Sequence, residues 1–405
     1  MTTGTLGASV GTTHAAENPI DLRARFAPIF DKIRRGTVER ERNRTLPTEQ
    51  VEELTAAGFG ALRVPADLGG EGVSLPEFIA LLIDLAAADS NVAHLFRGHF
   101  IFIDDVILTR SQVAAKKWAQ TAVAGAVIAN ASAEQGSTKG WWDTGTTIEK
   151  RGNKHVLNGV KYYSTGSNFS DWILVSAISP DGERIAVPVP SKAPGVEIKD
   201  DWDGFGQRLT GSGTTKFSDV EVNLDDAISY FSREPNYLLS YFQLFLLTVQ
   251  AGIARAALED TLDFVRPRTR VFGSEERPIP KDDPHVQRII GQLAGQVHAI
   301  ESSVLRAAAD LEDLFTGIKA NTAEDADYYR VENSVFAAQS IVSDLVLTTT
   351  STFFEVGGAS ATSISRVLDR HWRNARTVAS HNPVYLRQQI LGERLLKPDE
   401  AITGR

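Results

Sequence analysis

The chain has 405 residues, of which 42% are hydrophobic and 23% charged, and its net charge of −9 disfavours a general binder of nucleic acid or of anionic membranes. It contains no cysteine, which excludes disulfides and thiolate metal sites, and its eight histidines show no metal-ligand spacing. Residues 1–18 are small and polar, with neither a basic stretch nor an apolar run, so they predict a disordered lead-in and no secretion signal. We therefore expect a cytoplasmic protein that holds no metal.

Residues 19–125 read as an N-terminal helical domain. Apolar residues recur at three- and four-residue intervals between positions 22 and 33, where Pro28 is predicted to start or kink the helix. Residues 75–89 are apolar on nearly every side, which is typical of a helix buried between neighbours.

Residues 126–235 read as a compact middle β domain. The turn at 151–154 lies between two β-prone runs and predicts a hairpin. Further strands are predicted at 172–178, 184–190 and 214–222.

Residues 236–405 return to helical patterns and predict a C-terminal bundle. Their longest apolar run, 244–253, is interrupted by Thr248 and Gln250 and is too short to span a membrane. The sequence thus predicts an α+β, mostly α protein: a helical domain, a barrel-like β domain and a helical bundle. No phosphate-binding glycine loop of the Rossmann or P-loop kind occurs.

The segment 369–383 combines three arginines, a tryptophan and two histidines. Arginines this close together require carboxylates or another anion nearby. Pro383 disfavours the helical conformation at Asn382, so His381 is predicted at a helix end, either as a displayed functional group or as a simple cap.

The order of domains and three local motifs resemble the acyl-CoA dehydrogenase superfamily over nearly the whole chain. The motifs are Asn130-Ala-Ser-Ala-Glu-Gln-Gly-Ser137, Leu157-Asn-Gly-Val-Lys-Tyr-Tyr-Ser-Thr-Gly166 and Gly252-Ile-Ala-Arg-Ala-Ala-Leu-Glu259. Dehydrogenases of this family need a carboxylate that removes a proton from an acyl thioester. The matching position here is Asn382, and residues 237–255 contain no Asp or Glu, so this chemistry is disfavoured.

The chain is most similar to the flavin-dependent monooxygenase branch of that superfamily. The shared features are His94-Leu-Phe96, Asn130-Ala-Ser132, Phe354-Glu-Val356 and Trp372-Arg-Asn-Ala-Arg376 with the following His381. The resemblance implies a two-component system in which an NAD(P)H:flavin reductase supplies reduced FMN, with FAD as an alternative. A flavin hydroperoxide would then oxygenate a small, largely apolar substrate at sulfur or nitrogen.

Three other functions stay open at this point: hydroxylation of an aromatic carbon, an FAD-dependent acyl-CoA dehydrogenase with an unrecognised base, and a catalytically silent bundle that binds a partner. The resemblance also implies a homotetramer whose flavin phosphate site draws on two subunits.

By resemblance, the residues around the flavin ring are Asn130, Ser132, Ser137, Tyr163, Thr165 and Trp202. Asn130 and Thr165 are also candidates for the reaction itself. The alternative for Asn130 and Ser132 is a polar strand end, and for Trp202 a core residue.

His381 is our candidate for proton handling, since an imidazole near its ordinary pKa of about 6.5 exchanges protons at neutral pH. His94 is the second candidate; the alternative is a hydrogen-bonded core histidine. Gly98 replaces a tyrosine of the relatives and is expected to open the pocket. Arg270 and Arg370 are candidates for the flavin phosphate, with an ordinary ion pair as the alternative for Arg370.

Overall fold

The computed structural model describes residues 21–136, 144–229, 235–271 and 278–397. Helices precede and follow a seven-stranded sheet, which confirms the predicted fold class. The helices of the N-terminal part are α1 (Leu22–Asn43), α2 (Thr48–Ala56), α3 (Leu75–Ala88), α4 (Ser90–Leu95), α5 (Arg97–Thr109) and α6 (Gln112–Val123).

Local sequence explains where these helices begin and end. Ser74 and Glu77 form a capping box at the start of α3. Asp89 stops α3 in an extended conformation and its side chain caps α4, so the chain bends at the start of the short helix that carries His94. Pro28 lies inside α1 and does not start it.

The sheet joins parallel and antiparallel pairs in the order β1-β4-β2-β3-β7-β6, with β5 beside β4. Its strands are β1 (Ile128–Ala131), β2 (Thr147–Arg151), β3 (Lys154–Lys161), β4 (Trp172–Ile178), β5 (Arg184–Pro190), β6 (Val196–Ile198) and β7 (Thr215–Val222). β2 and β3 form the predicted hairpin, in which Arg151 pairs with Lys154. The parallel pairing of β1 with β4 brings Asn130 opposite Leu174.

The C-terminal helices are α7 (Leu238–Val265), α8 (Pro284–Lys319), α9 (Asp325–Thr352), the short α10 (Phe354–Gly357), α11 (Arg370–Ala379) and α12 (Val384–Leu396). As expected, the chain leaves helical structure between α11 and α12, where His381, Asn382 and Pro383 lie.

One continuous apolar core extends from the N-terminal helices through α7 to α8 and α9. Within the described ranges, α7 is the one helix apolar and long enough to cross a membrane, and 83% of its most apolar window is buried inside the protein. It is the central helix of this core. A glycine in the middle of it, Gly252, packs directly against Ala86 of α3, where a Cβ would lie 2.3 Å from the Ala86 Cβ.

Candidate functional site

Segments far apart in sequence meet where α4, β1 and the turn after β3 pack together. A Cβ on Gly166 would lie 2.8 Å from the Leu95 carbonyl oxygen and 3.5 Å from the Ala129 Cβ. The Gly166 backbone N–H donates to the Thr210 carbonyl at 2.9 Å, which adds a fourth segment. This junction brings the neighbours of Gly166, Leu95 and Ala129, namely Thr165, His94 and Asn130, into one region.

His94 is buried and only half of its hydrogen-bonding capacity is used. Its Nδ1 lies 2.9 Å from Gln207 Oε1, an acceptor, so Nδ1 carries the proton and donates it. Its Nε2 is buried and has no partner. Burial and the positive charge of Arg97 lower the pKa of His94 to about 3. At neutral pH His94 is therefore an uncharged imidazole with a free acceptor nitrogen.

Gln207 holds His94 in this orientation. Its side-chain amide donates to Ser90 Oγ at 3.0 Å, and its backbone N–H donates to Asn374 Oδ1 at 2.6 Å. Gln207 adopts a left-handed conformation with φ 52°, which is uncommon outside glycine. One residue thus links α4, the loop before β7 and α11.

His381 reaches the same region from the loop after α11. The Arg97 guanidinium Nη2 donates to His381 Nε2 at 3.3 Å, while the histidine itself stays exposed. Desolvation of its ring nitrogens and the neighbouring Arg97 and His94 lower the pKa of His381. Our expectation that His381 titrates near its ordinary pKa is wrong, because desolvation and a neighbouring cation both disfavour the imidazolium. Its role in proton handling stays a prediction.

Asn130 lies on β1, and its Oδ1 is buried without a partner. Gly98 of α5 faces it: a Cβ at Gly98 would lie 2.9 Å from Asn130 Oδ1 and 3.0 Å from the Asn130 nitrogen. The expectation that Gly98 opens the pocket is therefore wrong, because the missing side chain lets α5 pack directly on β1. We call His94, Arg97, Asn130, Thr165 and His381 the junction cluster.

Some hydroxyl groups near the cluster have hydrogen-bond partners, and one does not. Thr165 Oγ1 lies 2.8 Å from Ser212 Oγ, and both residues are buried. Ser132 Oγ accepts from Ser176 Oγ at 3.1 Å, a contact within the sheet that fits the polar-strand alternative. Ser164 Oγ is buried and has no partner. Ser137 lies outside the described residues.

Tyr163 and Trp202 also come together, although 39 residues separate them in the sequence. Tyr163 is half-exposed, and its ring stands edge-on to Trp202 with 5.4 Å between the ring centroids. Trp202 Nε1 donates to the Gly206 carbonyl at 3.1 Å, which fixes the indole. The pair presents an accessible aromatic surface next to Ser164 and Thr165.

The two arginine candidates have different surroundings. Arg370 is buried in an ion pair with Asp260, which also accepts a hydrogen bond from His371 Nε2 at 2.8 Å. The structure thus supports the ion-pair alternative for Arg370, since a guanidinium held by a carboxylate has little left for a phosphate. Arg270 lies exposed just beyond α7, and its contact with a phosphate stays a prediction.

Sequence reasoning missed Arg97, Ser164 and Gln207. Arg97 had a usable signal, since it is a charged residue at the start of the largely apolar helix α5. Gln207 had none, because its importance depends on partners more than a hundred residues away.

The unpaired atoms of this region fit a flavin ring. His94 Nε2, Asn130 Oδ1 and Ser164 Oγ are buried hydrogen-bonding atoms without partners, and Tyr163 offers an accessible aromatic face. Buried polar atoms in folded proteins are usually paired with protein or water, so a polar ligand reaching this region would find free hydrogen-bonding partners there. Within the described ranges, no carboxylate contacts His94 or His381.

Comparison with known proteins identifies the family of the chain. Residues 128–220 match the acyl-CoA dehydrogenase middle domain and residues 244–385 the acyl-CoA dehydrogenase C-terminal domain. A dibenzothiophene monooxygenase of Mycolicibacterium goodii is 30% identical, with 91% of each chain covered. A probable FMNH2-dependent monooxygenase of Pseudomonas putida is 27% identical over 88% of this chain and 90% of its own.

The fold agrees as well. The FMN-bound crystal structure of TdsC from Paenibacillus sp. A11-2 superposes with a TM-score of 0.85 at 27% identity, covering 93% of this chain and 97% of that one. With the site, the two domain matches and these relatives together, the chain belongs to the acyl-CoA dehydrogenase superfamily, in its flavin-dependent monooxygenase branch.

Proposed function

We propose that this chain is the oxygenase component of a two-component system that takes reduced FMN from a separate NAD(P)H:flavin reductase. Its substrate is a small, largely apolar molecule that is oxygenated at sulfur or nitrogen. The observation that carries the proposal is the junction cluster, which combines unpaired hydrogen-bonding atoms with the absence of a carboxylate from the contacts of His94 and His381. The names and the FMN content of the relatives support the choice of cofactor.

The residues that would hold the flavin are Asn130, Ser164, Thr165 and Tyr163, with Trp202 supporting the tyrosine ring. Reduced FMN supplies the two electrons with which one atom of O2 enters the substrate and the other leaves as water. Everything else in the reaction depends on groups of the protein.

The first task of the protein is to exclude water, because reduced oxygen species otherwise escape as hydrogen peroxide. His94 and Thr165 are buried, and Leu95 and Phe96 beside them are fully buried. His381 is the exposed member of the junction cluster, and it contacts Arg97. The region therefore opens to solvent on the side of His381.

The second task is to place hydrogen bonds without a strong acid. His94 keeps its proton on Nδ1 for Gln207 and presents Nε2 as an acceptor, while Thr165 and Ser164 present hydroxyl groups. Because both histidines are uncharged at neutral pH, neither delivers a proton prematurely to reduced oxygen. Such preorganised groups stabilise charge that develops during the reaction.

The test is a substrate screen with the purified protein, FMN, a generic flavin reductase, NADH and isotopically heavy O2. We expect one heavy oxygen atom in the product of at least one sulfide or amine, and none in the absence of O2 or reductase. Hydrogen peroxide as the sole product with every sulfide, amine and indole tested would contradict the proposal. So would a lack of binding of FMN in both redox states.

A further inference from the structure

Arg97 is a buried charge that no carboxylate of the described residues contacts. Only 6% of the residue is exposed, and its Nε is buried without a partner. Its neighbours are His381 Nε2 at 3.3 Å and the ring of Phe242, whose centroid lies 5.7 Å from the guanidinium carbon. Burial lowers the pKa of Arg97 to about 10, so the group is still cationic at neutral pH.

Each of the other buried arginines of the described chain forms an ion pair with an aspartate. Arg40 pairs with Asp89 at 2.8 Å, Arg63 pairs with Asp104 at 3.0 Å, and Arg370 pairs with Asp260. A buried guanidinium is costly unless an anion and hydrogen bonds compensate for its lost hydration. Three of the four buried arginines meet this requirement within the chain, and Arg97 does not.

The contacts that Arg97 does make leave its charge uncompensated. A neutral imidazole accepts one hydrogen bond but carries no negative charge, and an aromatic ring offers only its quadrupole. The backbone beside Arg97 is packed tightly, because Gly98 lies directly against Asn130 of β1. The guanidinium is therefore held beside His94 and His381 in the region to which the proposed function assigns the reaction.

We propose that Arg97 binds an anionic group of the substrate, a carboxylate or a sulfinate, so that the substrate is an otherwise apolar sulfide or amine with one negative charge. This inference rests on the proposed function and narrows its substrate class. The planar guanidinium matches such two-oxygen anions through paired hydrogen bonds, and its unpaired Nε provides one of the two donors. The reduced flavin ring is the other possible source of negative charge, and the experiment separates the two.

The experiment uses two probe sulfides that differ only by a carboxylate: methyl phenyl sulfide and 4-(methylthio)benzoate, that is, para-methylthiobenzoate. Wild type, Arg97→Met and Arg97→Lys are compared, with Arg387→Met as a matched control because Arg387 also lies over a ring, that of Phe336 at 4.7 Å. We expect wild type to prefer the carboxylate, and Arg97→Met to lower kcat/KM for it about 100-fold while methyl phenyl sulfide changes less than about threefold. Arg97→Lys should retain part of the preference, and Arg387→Met all of it.

A second readout needs neither flavin nor turnover. In thermal unfolding of the flavin-free protein, para-methylthiobenzoate should raise the Tm of wild type and leave that of Arg97→Met unchanged. Without ligand, Arg97→Met should unfold at a higher temperature than wild type, because it removes an uncompensated buried charge.

Three results would overturn the inference. One is equal loss of both sulfides in Arg97→Met together with weaker anaerobic binding of reduced FMN, which would assign the anion to the flavin. The second is a wild type that shows no preference for the carboxylate and no Tm shift with it. The third is an Arg97→Met protein that is less stable than wild type and keeps the carboxylate preference. If neither sulfide gains oxygen, the proposed function fails, while the Tm shift still tests Arg97 alone.

Discussion

Two buried histidines, His94 and His99, lie five residues apart and have opposite surroundings. His99 uses both ring nitrogens: Nε2 donates to the Gly60 carbonyl at 2.8 Å, and Nδ1 accepts from the Ile128 backbone N–H at 3.3 Å. His94 uses one and leaves Nε2 unpaired. Burial lowers the pKa of both, to about 3 for His94 and about 4 for His99. The difference teaches that burial alone does not mark a functional histidine; an unpaired nitrogen does.

His371 is a third buried histidine, and like His99 it has a partner, the carboxylate of Asp260. Removing that carboxylate has the largest expected effect on stability. Asp260 binds both Arg370 and His371, and these contacts hold the pKa of its carboxyl well below the usual range in spite of burial. Asp260→Asn leaves the Arg370 charge buried and unpaired, so we expect a loss of roughly 3–5 kcal/mol in the free energy of unfolding. Urea denaturation measures it. Asp263→Asn, in an exposed pair with Arg266, is the control and should change stability by less than about 1 kcal/mol.

His99→Leu should cost about 3 kcal/mol of stability, because two buried backbone groups lose their partners and each costs about 1–3 kcal/mol. The same denaturation assay applies, and product formation per bound flavin in the folded fraction should stay near that of wild type. A variant as stable as wild type would show that the Gly60 and Ile128 contacts contribute little.

The pH dependence of stability sharpens the same comparison. The folded-state pKa of His99 lies below its unfolded value, so its stabilising contribution is complete above about pH 6.5 and declines as the pH falls toward 4. His94 and His371 act in the same direction. Between pH 6 and 4.5, we expect the His99→Leu stability curve to be shallower than that of wild type by about 1 kcal/mol per pH unit. Parallel curves would exclude a neutral, buried His99.

Gly98→Ala tests the packing that separates the two histidines' environments. The added methyl group meets both the side chain and the backbone of Asn130, so we expect about 2 kcal/mol of destabilisation and a displaced Asn130. FMN affinity and stability should fall together. Gly291→Ala, where a Cβ meets nothing within 4 Å, is the control and should be neutral or slightly stabilising.

His94→Leu should have the smallest effect on stability, about 1 kcal/mol, because only its hydrogen bond with Gln207 is lost. Its effect on the reaction should be large: product formation falls about 100-fold and hydrogen peroxide replaces product. The ratio of product to NADH consumed measures this. If His94→Leu keeps that ratio, the assignment of the unpaired nitrogen to the reaction is wrong.

The sequence predicted local structure well and long-range contacts poorly. The strands Trp172–Ile178 and Arg184–Pro190 have the predicted bounds, because β-branched and apolar residues between turn signals determine them locally. The resemblance predicted His94, Asn130 and Thr165 as residues of one site. It could not indicate that Gly98 closes the space beside Asn130. For Arg370 the sequence left a phosphate site and an ion pair open, because its partner, Asp260, lies 110 residues away.

Gln207 carries a consequence for how this protein is divided or engineered. Through Ser90, His94 and Asn374, a single side chain and its amide group connect all three parts of the chain. The orientation of the His94 ring thus depends on contacts from all three parts of the chain. A fragment without the C-terminal helices would keep His94 in its sequence yet lose the scaffold that aims it, so exchanging domains between relatives requires the 207–374 contact to be carried along.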